Sequence, residues 1–323
     1  MSPLDRTACL AAARRLLDVH RAVEAEAVVR AACAAGRADD PELLFTLAFA
    51  LLRQGRYAEG FAAYEHREAR AKAETRQLPT PEWDGAPLAG RSILVWTEQG
   101  IGDEIQLARF IPQLRGRGAG RVLLGCHPAN VRAFDQLGLD AVFPRFNPGG
   151  GQVSVPAHDC WTLIFSLPHR LGLAFETLDG GPYLAAEPER RGGIAIVERG
   201  NPKNPNDAAR SIPDGLLQRA LPQAELLEPM GDVLESLRRV AGFDLLITVD
   251  TSWAHMAGAL GVPCWLLLPA ERADWRWFPK ADRTPWYDSL RLFWQEARGD
   301  WSGVIGEVAA RLQRAVPPDS RRV

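Results

Sequence analysis

Lysine is nearly missing. Lys72, Lys203 and Lys280 are the three in 323 residues, and arginine carries the positive charge. Lys plus Arg number 38 against 40 for Asp plus Glu, a formal net charge of −2. No basic surplus therefore points to a nucleic-acid polymer or an anionic membrane as partner. Long apolar runs are missing too: none approaches the roughly 20 residues that a membrane-spanning helix needs. The first residues carry Asp5 and Arg6 where a signal peptide would be apolar, so a cytoplasmic location is expected. Cysteine is scattered, with Cys9, Cys33, Cys126, Cys160 and Cys264 odd in number and never spaced as CxxC. That fits buried thiols in a reducing compartment better than disulfides. Cys126-His127 and His158-Asp159-Cys160 read as small residues at strand ends, and no metal is expected.

What is present is the composition of an ordinary globular chain, 46% hydrophobic and 24% charged, with room for two or three compact units. Residues 1–78 hold no strand-like run. "CLAAARRLLDVHRAVEAEAVVRAACAAG" has helical apolar spacing and stops at Gly36. "DDPELLFTLAFALLRQG" opens on an acidic cap with proline in its first turn. "RYAEGFAAYEHREARAK" follows, with Tyr57, Phe61 and Tyr64 on one side. Two helices meeting at a glycine resemble a tetratricopeptide hairpin, which cannot bury its face alone.

The Pro/Gly-rich "LPTPEWDGAPLAGR" marks a boundary. From Ser92 strands and helices alternate: "SILVW", "DEIQLARFIPQL", "RVLLGC" and "PANVRAFDQLG". A second series begins at "GGIAIV" and runs through "DLLITV", "SWAHMAGALG" and "PCWLLLP". Such alternation predicts parallel sheets covered by helices. The expected architecture is α/β: a helical unit over 1–78, Rossmann-like domains over 79–187 and 188–300, and a C-terminal helix and tail over 301–323. Val304, Ile305, Val308 and Leu312 are expected to pack that helix back across the domain junction.

Three stretches carry chemistry. "EQGIGDE" lies between a strand and a helix. It has no lysine and carries Glu98, Asp103 and Glu104, so it reads as a carboxylate at a close-approach turn rather than a phosphate loop. Asp103 is the candidate general base, and a helix-capping aspartate is the plain alternative. "RGNPKNPNDAARSIP" offers Lys203, Asn204, Asn206, Arg210 and Ser211 to a diphosphate, or is a solvated loop. In "VDTSWAHMAGALG", Asp250, Thr251 and Ser252 end a strand at a helix N-terminus, with His255 on the first turn. Further on, "ADWRWFPKADRTPWY" is rich in aromatics. It is expected either to line the cleft, with Trp277 on a sugar or base and Arg276 near phosphates, or to plug the space between domains.

Together "PEWDGAPLAGRSILVWTEQGIGDEIQLARF", "RSIP", "VDTSWAHMAGALGVPCWLLLP" and "DWRWF" through "TPWYDSLRLFWQ" resemble the tetratricopeptide-linked glycosyltransferases related to glycosyltransferase family 9, the heptosyltransferase family. The resemblance implies a GT-B fold and inverting, metal-independent transfer from a nucleotide-sugar co-substrate, without a cofactor, and leaves the acceptor open among a protein, a glycan and a lipid-linked sugar. It places the base at Asp103 in an acceptor-side loop with Glu98, Gln99, Gly100 and Gly102. It sets Arg210 and Ser211 at the donor's phosphates and matches Asp250, Thr251 and His255 to the nucleotide-sugar signature, while the residues themselves add Lys203, Asn204, Ser252, Arg276 and Trp277 as candidate donor contacts. Two departures stand out. "IVERGN" replaces a tryptophan-bearing strand end, and the segment from "RSIP" to "VDT" is short. These keep two alternatives in view, a non-catalytic GT-B-like binding module and another nucleotide-sugar enzyme such as an epimerase.

Overall fold

Short runs of buried apolar residues become strands, and the glycine and acid clusters after them become the loops that lead into helices. The computed structural model describes residues 5–71, 78–189, 192–228 and 230–315. The first four residues, the end of the helical unit at 72–77 and the tail after Ala315 lie outside the described residues.

Four helices come first: α1 (Arg6–Asp18), α2 (Ala22–Ala32), α3 (Pro41–Leu52) and α4 (Tyr57–Tyr64). The long helical run expected to reach Gly36 is broken at His20, whose φ is +62°. The turn folds α2 onto α1, so that Leu10, Ala13 and Leu17 meet Ala25 and Val29; one continuous helix would leave both faces wet. Asp40 caps α3, accepting from the amides of Glu42 and Leu43 at 3.0 and 3.1 Å, with Pro41 in the first turn.

The first sheet is parallel, made of β1 (Ser92–Trp96), β2 (Arg121–Cys126), β3 (Ala141–Pro144) and β4 (Cys160–Leu163) in the order β3-β2-β1-β4. The second is also parallel: β5 (Ile194–Val197), β6 (Glu225–Leu226), β7 (Leu245–Val249), β8 (Cys264–Leu268) and β9 (Leu290–Trp294), ordered β6-β5-β7-β8-β9. The chain is thus a mixed α/β protein with two parallel sheets. In each, the strand order reverses beside the first strand, between β1 and β4 and between β5 and β7. Ligands of open parallel sheets collect at such switch points, beyond the carboxyl ends of the strands.

One core runs through both sheets and the helices α3 and α4 before them, while α1 and α2 pack with α3 in a cluster of their own. Tyr64 stacks on Phe165 with ring centroids 5.2 Å apart, and Phe61 and Tyr57 meet Trp275 and Trp286 at 5.7 Å each. The helix Trp301–Ala315 lies on the second sheet, where Trp301, Val304, Ile305 and Val308 pack with Ile196, Ile247, Leu267 and Phe293.

Candidate functional site

The loops after β1 and β7 meet. Helix Ile101–Ala108 starts at the end of β1, and helix Ser252–Leu260 starts at the end of β7. At Gly102 the two come into direct contact. A Cβ there would sit 2.8 Å from His255 Cδ2 and 3.2 Å from Ser252 Cα, so only glycine lets the backbones approach this far.

Asp103 lies beside that contact. It occupies the third helical position, not the cap: Gly100 is the N-cap, and its amide donates to Asp103 Oδ2 at 3.1 Å. Asp103 Oδ1 accepts from Arg276 Nη2 at 2.6 Å, joining the halves across 173 residues of sequence. Arg276 also donates to Asp274 Oδ1 at 2.8 Å and, through Nε, to Gln106 Oε1. Burial pushes the Asp103 carboxyl above its usual range, and Arg276 opposes that rise. A carboxylate that is oriented and unusually basic suits proton abstraction.

On the second sheet, Arg210 donates to the Asp250 carbonyl at 2.6 Å and to Asp207 Oδ1 at 3.3 Å. Gly200 makes room for this pair, since a Cβ would sit 2.2 Å from Asp207 Oδ1. Burial first, then the nearby Asp274, push the Asp250 carboxyl up to about 6, with Arg210 opposing. Thr251 caps its helix by accepting from the Trp253 amide at 3.4 Å. His255 Nδ1 shares a hydrogen bond of 2.8 Å with the Tyr287 hydroxyl, and its ring stacks on Trp277. Burial and then Arg276, Arg109 and Arg210 hold its pKa well below the ordinary value. His255 is accordingly a neutral hydrogen-bonding group at pH 7.

No family model matches the chain. Protein FlbA from Caulobacter vibrioides (strain ATCC 19089 / CIP 103742 / CB 15) is 25% identical over 346 residues, which cover 84% of this chain and 56% of FlbA. The chain therefore spans little more than half the length of that curated relative. Among solved structures, the iron-containing dodecameric glycosyltransferase TibC from enterotoxigenic E. coli H10407 matches with a TM-score of 0.40 at 12% identity, over 74% of this chain and 78% of its own. TibC described as a heptosyltransferase in complex with ADP-D-beta-D-heptose gives a TM-score of 0.42 at 12% identity, over 73% and 78%. A mutant O-GlcNAc transferase from Thermobaculum terrenum gives 0.27 at 13% identity, over 95% and 92%.

The structure gathers Asp103, Arg276, Asp250, Arg210, Thr251, Ser252 and His255, and leaves other expected residues aside. Glu98 is withdrawn from the acceptor-side loop: it is buried and accepts from Arg67 Nη2 at 2.6 Å. An unpaired carboxylate at that depth would be costly; Arg67 offsets part of the cost, although burial still holds the Glu98 carboxyl above its usual range. Gln99 and Gly100 stay exposed, and Gln99 holds a left-handed φ of +65° while donating to the Tyr64 hydroxyl at 3.1 Å. Lys203 and Asn204 are exposed; the Asn204 side chain accepts from the Asn206 amide within its own loop. Ser211 turns its hydroxyl to the Gly200 amide at 3.0 Å.

Trp277 is fully buried with its ring stacked on His255. Arg276 is likewise engaged by carboxylates rather than free for phosphates. Sequence reading missed Asp274, Gln106 and Arg67, the residues that fix these arginine and carboxylate positions. Asp274 did carry a signal, an acid two residues before Arg276 in "DWRWF". Among the described residues no three His, Cys, Asp or Glu side chains converge as a metal set.

Proposed function

We propose that the chain is an inverting glycosyltransferase of GT-B type, moving a sugar from a nucleotide-sugar donor to a hydroxyl of an acceptor without a metal. The observation that carries this reading is the Asp103–Arg276 contact, made where the loops after β1 and β8 converge. A base contributed by one sheet thereby faces cationic and amide groups contributed by the other. In the reaction, the acceptor oxygen attacks the anomeric carbon opposite the phosphate, and a new C–O bond forms. The bond from that carbon to the donor phosphate breaks, its electron pair leaving with the nucleotide. Asp103 takes the acceptor's proton. Arg276 keeps Asp103 ionised and aimed, and Arg210 with the amides at Thr251 and Ser252 offers positive potential for the leaving phosphate.

A second reading draws on the same contact. Asp103 already has a strong partner, which favours a GT-B-like module that binds a nucleotide sugar without turning it over. One experiment separates the two. A panel of nucleotide sugars is offered to the wild type and to Asp103→Asn, with released nucleotide and transferred sugar read by mass spectrometry and binding read by thermal shift. The transfer reading expects turnover that falls about 10²- to 10⁴-fold in the variant with binding retained. Binding without turnover in either protein would establish the module instead, and equal turnover in both would take Asp103 out of the mechanism.

A further inference from the structure

Glu104, next to Asp103, faces away from the Asp103–Arg276 contact and builds a separate cluster at the carboxyl ends of β1, β2 and β3. Its carboxylate is completely buried. It accepts from the Thr97 hydroxyl at 2.6 Å, the Asn130 side-chain amide at 2.6 Å and the His127 backbone amide at 3.0 Å. Those bonds saturate it. Arg145 stands beside it with Nε 3.6 Å from a Glu104 oxygen, outside hydrogen-bonding distance, and that Nε is buried without a partner. The terminal nitrogens of Arg145 make no hydrogen bond among the described residues, and 22% of the side chain meets solvent.

His127 lies alongside, because the Arg145 amide donates to the Cys126 carbonyl at 2.7 Å. Its Nδ1 accepts from the Ala129 amide at 3.2 Å, so the ring proton resides on Nε2 as an outward donor. The Phe146 ring lies 5.2 Å from the imidazole and 5.2 Å from the guanidinium, holding both at one edge. Beneath them the Asn130 Oδ1 is buried and unpartnered. A guanidinium anchored by a carboxylate that does not consume its donors is arranged to receive something else. Two terminal N–H groups and an imidazole N–H match the oxygens of one anion.

We propose that Arg145 and His127 form an oxyanion site on the half that carries Asp103, taking a carboxylate or phosphate group borne by the acceptor. Assigning the anion to the acceptor rests on the transfer reading; the site itself does not.

The test is a titration of the whole chain with acetate and, separately, with inorganic phosphate, against chloride at matched ionic strength. The readout is the ring Cε1–H resonances of the six histidines, with His127 assigned from His127→Gln. A saturable shift of the His127 resonance is expected with at least one oxyanion and not with chloride, and the two arms tell carboxylate from phosphate. Arg145→Gln should weaken it at least about tenfold, and Arg145→Lys, which keeps the charge but loses the planar fork, by a smaller factor. Arg210→Gln, on the other sheet, should leave it unchanged. The proposal is overturned by the absence of a saturable shift, or by Arg145→Gln and Arg145→Lys both titrating like the parent. Because no donor sugar is present, failure here is distinct from failure of the turnover experiment.

Discussion

Replacing Gly102 by alanine sets two effects of opposite sign against each other. In a helix, glycine to alanine gains up to about 1 kcal/mol from backbone entropy. At Gly102 the new methyl carbon would also lie 2.8 Å from His255 Cδ2 and 3.2 Å from Ser252 Cα. Neither neighbour yields cheaply: one is backbone, and the other is a ring held by Tyr287 and Trp277. Overpacking of this kind costs about 1–3 kcal/mol, so the net expectation runs from near zero to about 2 kcal/mol of destabilisation. Gly306→Ala is the internal control. It lies in the helix Trp301–Ala315 with nothing within 4 Å of its Cβ position, so it should be stabilising by up to about 1 kcal/mol. Urea unfolding of both variants, followed by far-UV circular dichroism and tryptophan fluorescence, gives the comparison. If Gly102→Ala gains as much as Gly306→Ala, the close approach of the two helices is not a constraint and the assembled site loses its basis.

Arg67→Met should be destabilising by about 3–5 kcal/mol, because it leaves Glu98 buried without its cation. The double variant Arg67→Met/Glu98→Gln should recover part of that in the same unfolding assay, and a double variant no better than the single would refute the pairing. Trp277→Ala should lower stability by about 3–5 kcal/mol, as expected for a fully buried aromatic. Weakened nucleotide-sugar binding with little loss of stability would favour the cleft-lining role. For Asp250 the sign follows from a folded pKa raised to about 6. The protonated form is favoured in the fold, so its stabilising contribution is full below the unfolded carboxyl value and is lost as pH rises through about 6. Asp250→Asn should therefore gain stability over wild type at pH 7.5, with the gap closing toward pH 4. Unfolding midpoints across that range check it, and a gap that widens on acidification would contradict the burial of the group.

The parts legible in sequence are those whose cause is local. "SILVW", "RVLLGC" and "DLLITV" are buried on both faces, so composition alone marks them as parallel strands. β3 escaped because "AVFP" is a half-buried edge strand ending in proline, and β9 because "LRLFW" mixes an arginine into its apolar run. The same divide runs through the site. The strand, turn and helix around Asp103 and around Asp250 follow from adjacent residues, and glycines and caps advertise them. The pairing of Asp103 with Arg276 does not, because the partners are 173 residues apart and each alone looks like a solvated charge. Glu98 shows the limit most clearly. Its neighbours place it in a functional loop, yet Arg67, from the helical unit, draws its side chain into the core. An aromatic-rich stretch such as 273–287 is ambiguous for a related reason. Burial and binding select the same large apolar rings, and only the surrounding helices decide which face meets water. Here α4 supplies Tyr57 and Phe61 against Trp286 and Trp275. The helical unit therefore closes one side of the aromatic loop, and its half-buried Arg53 donates to the Ala273 carbonyl within that loop. Arg67 holds the loop after β1 in the same way. A helical hairpin that cannot bury its face alone is, in the folded chain, the wall against which both site loops are set.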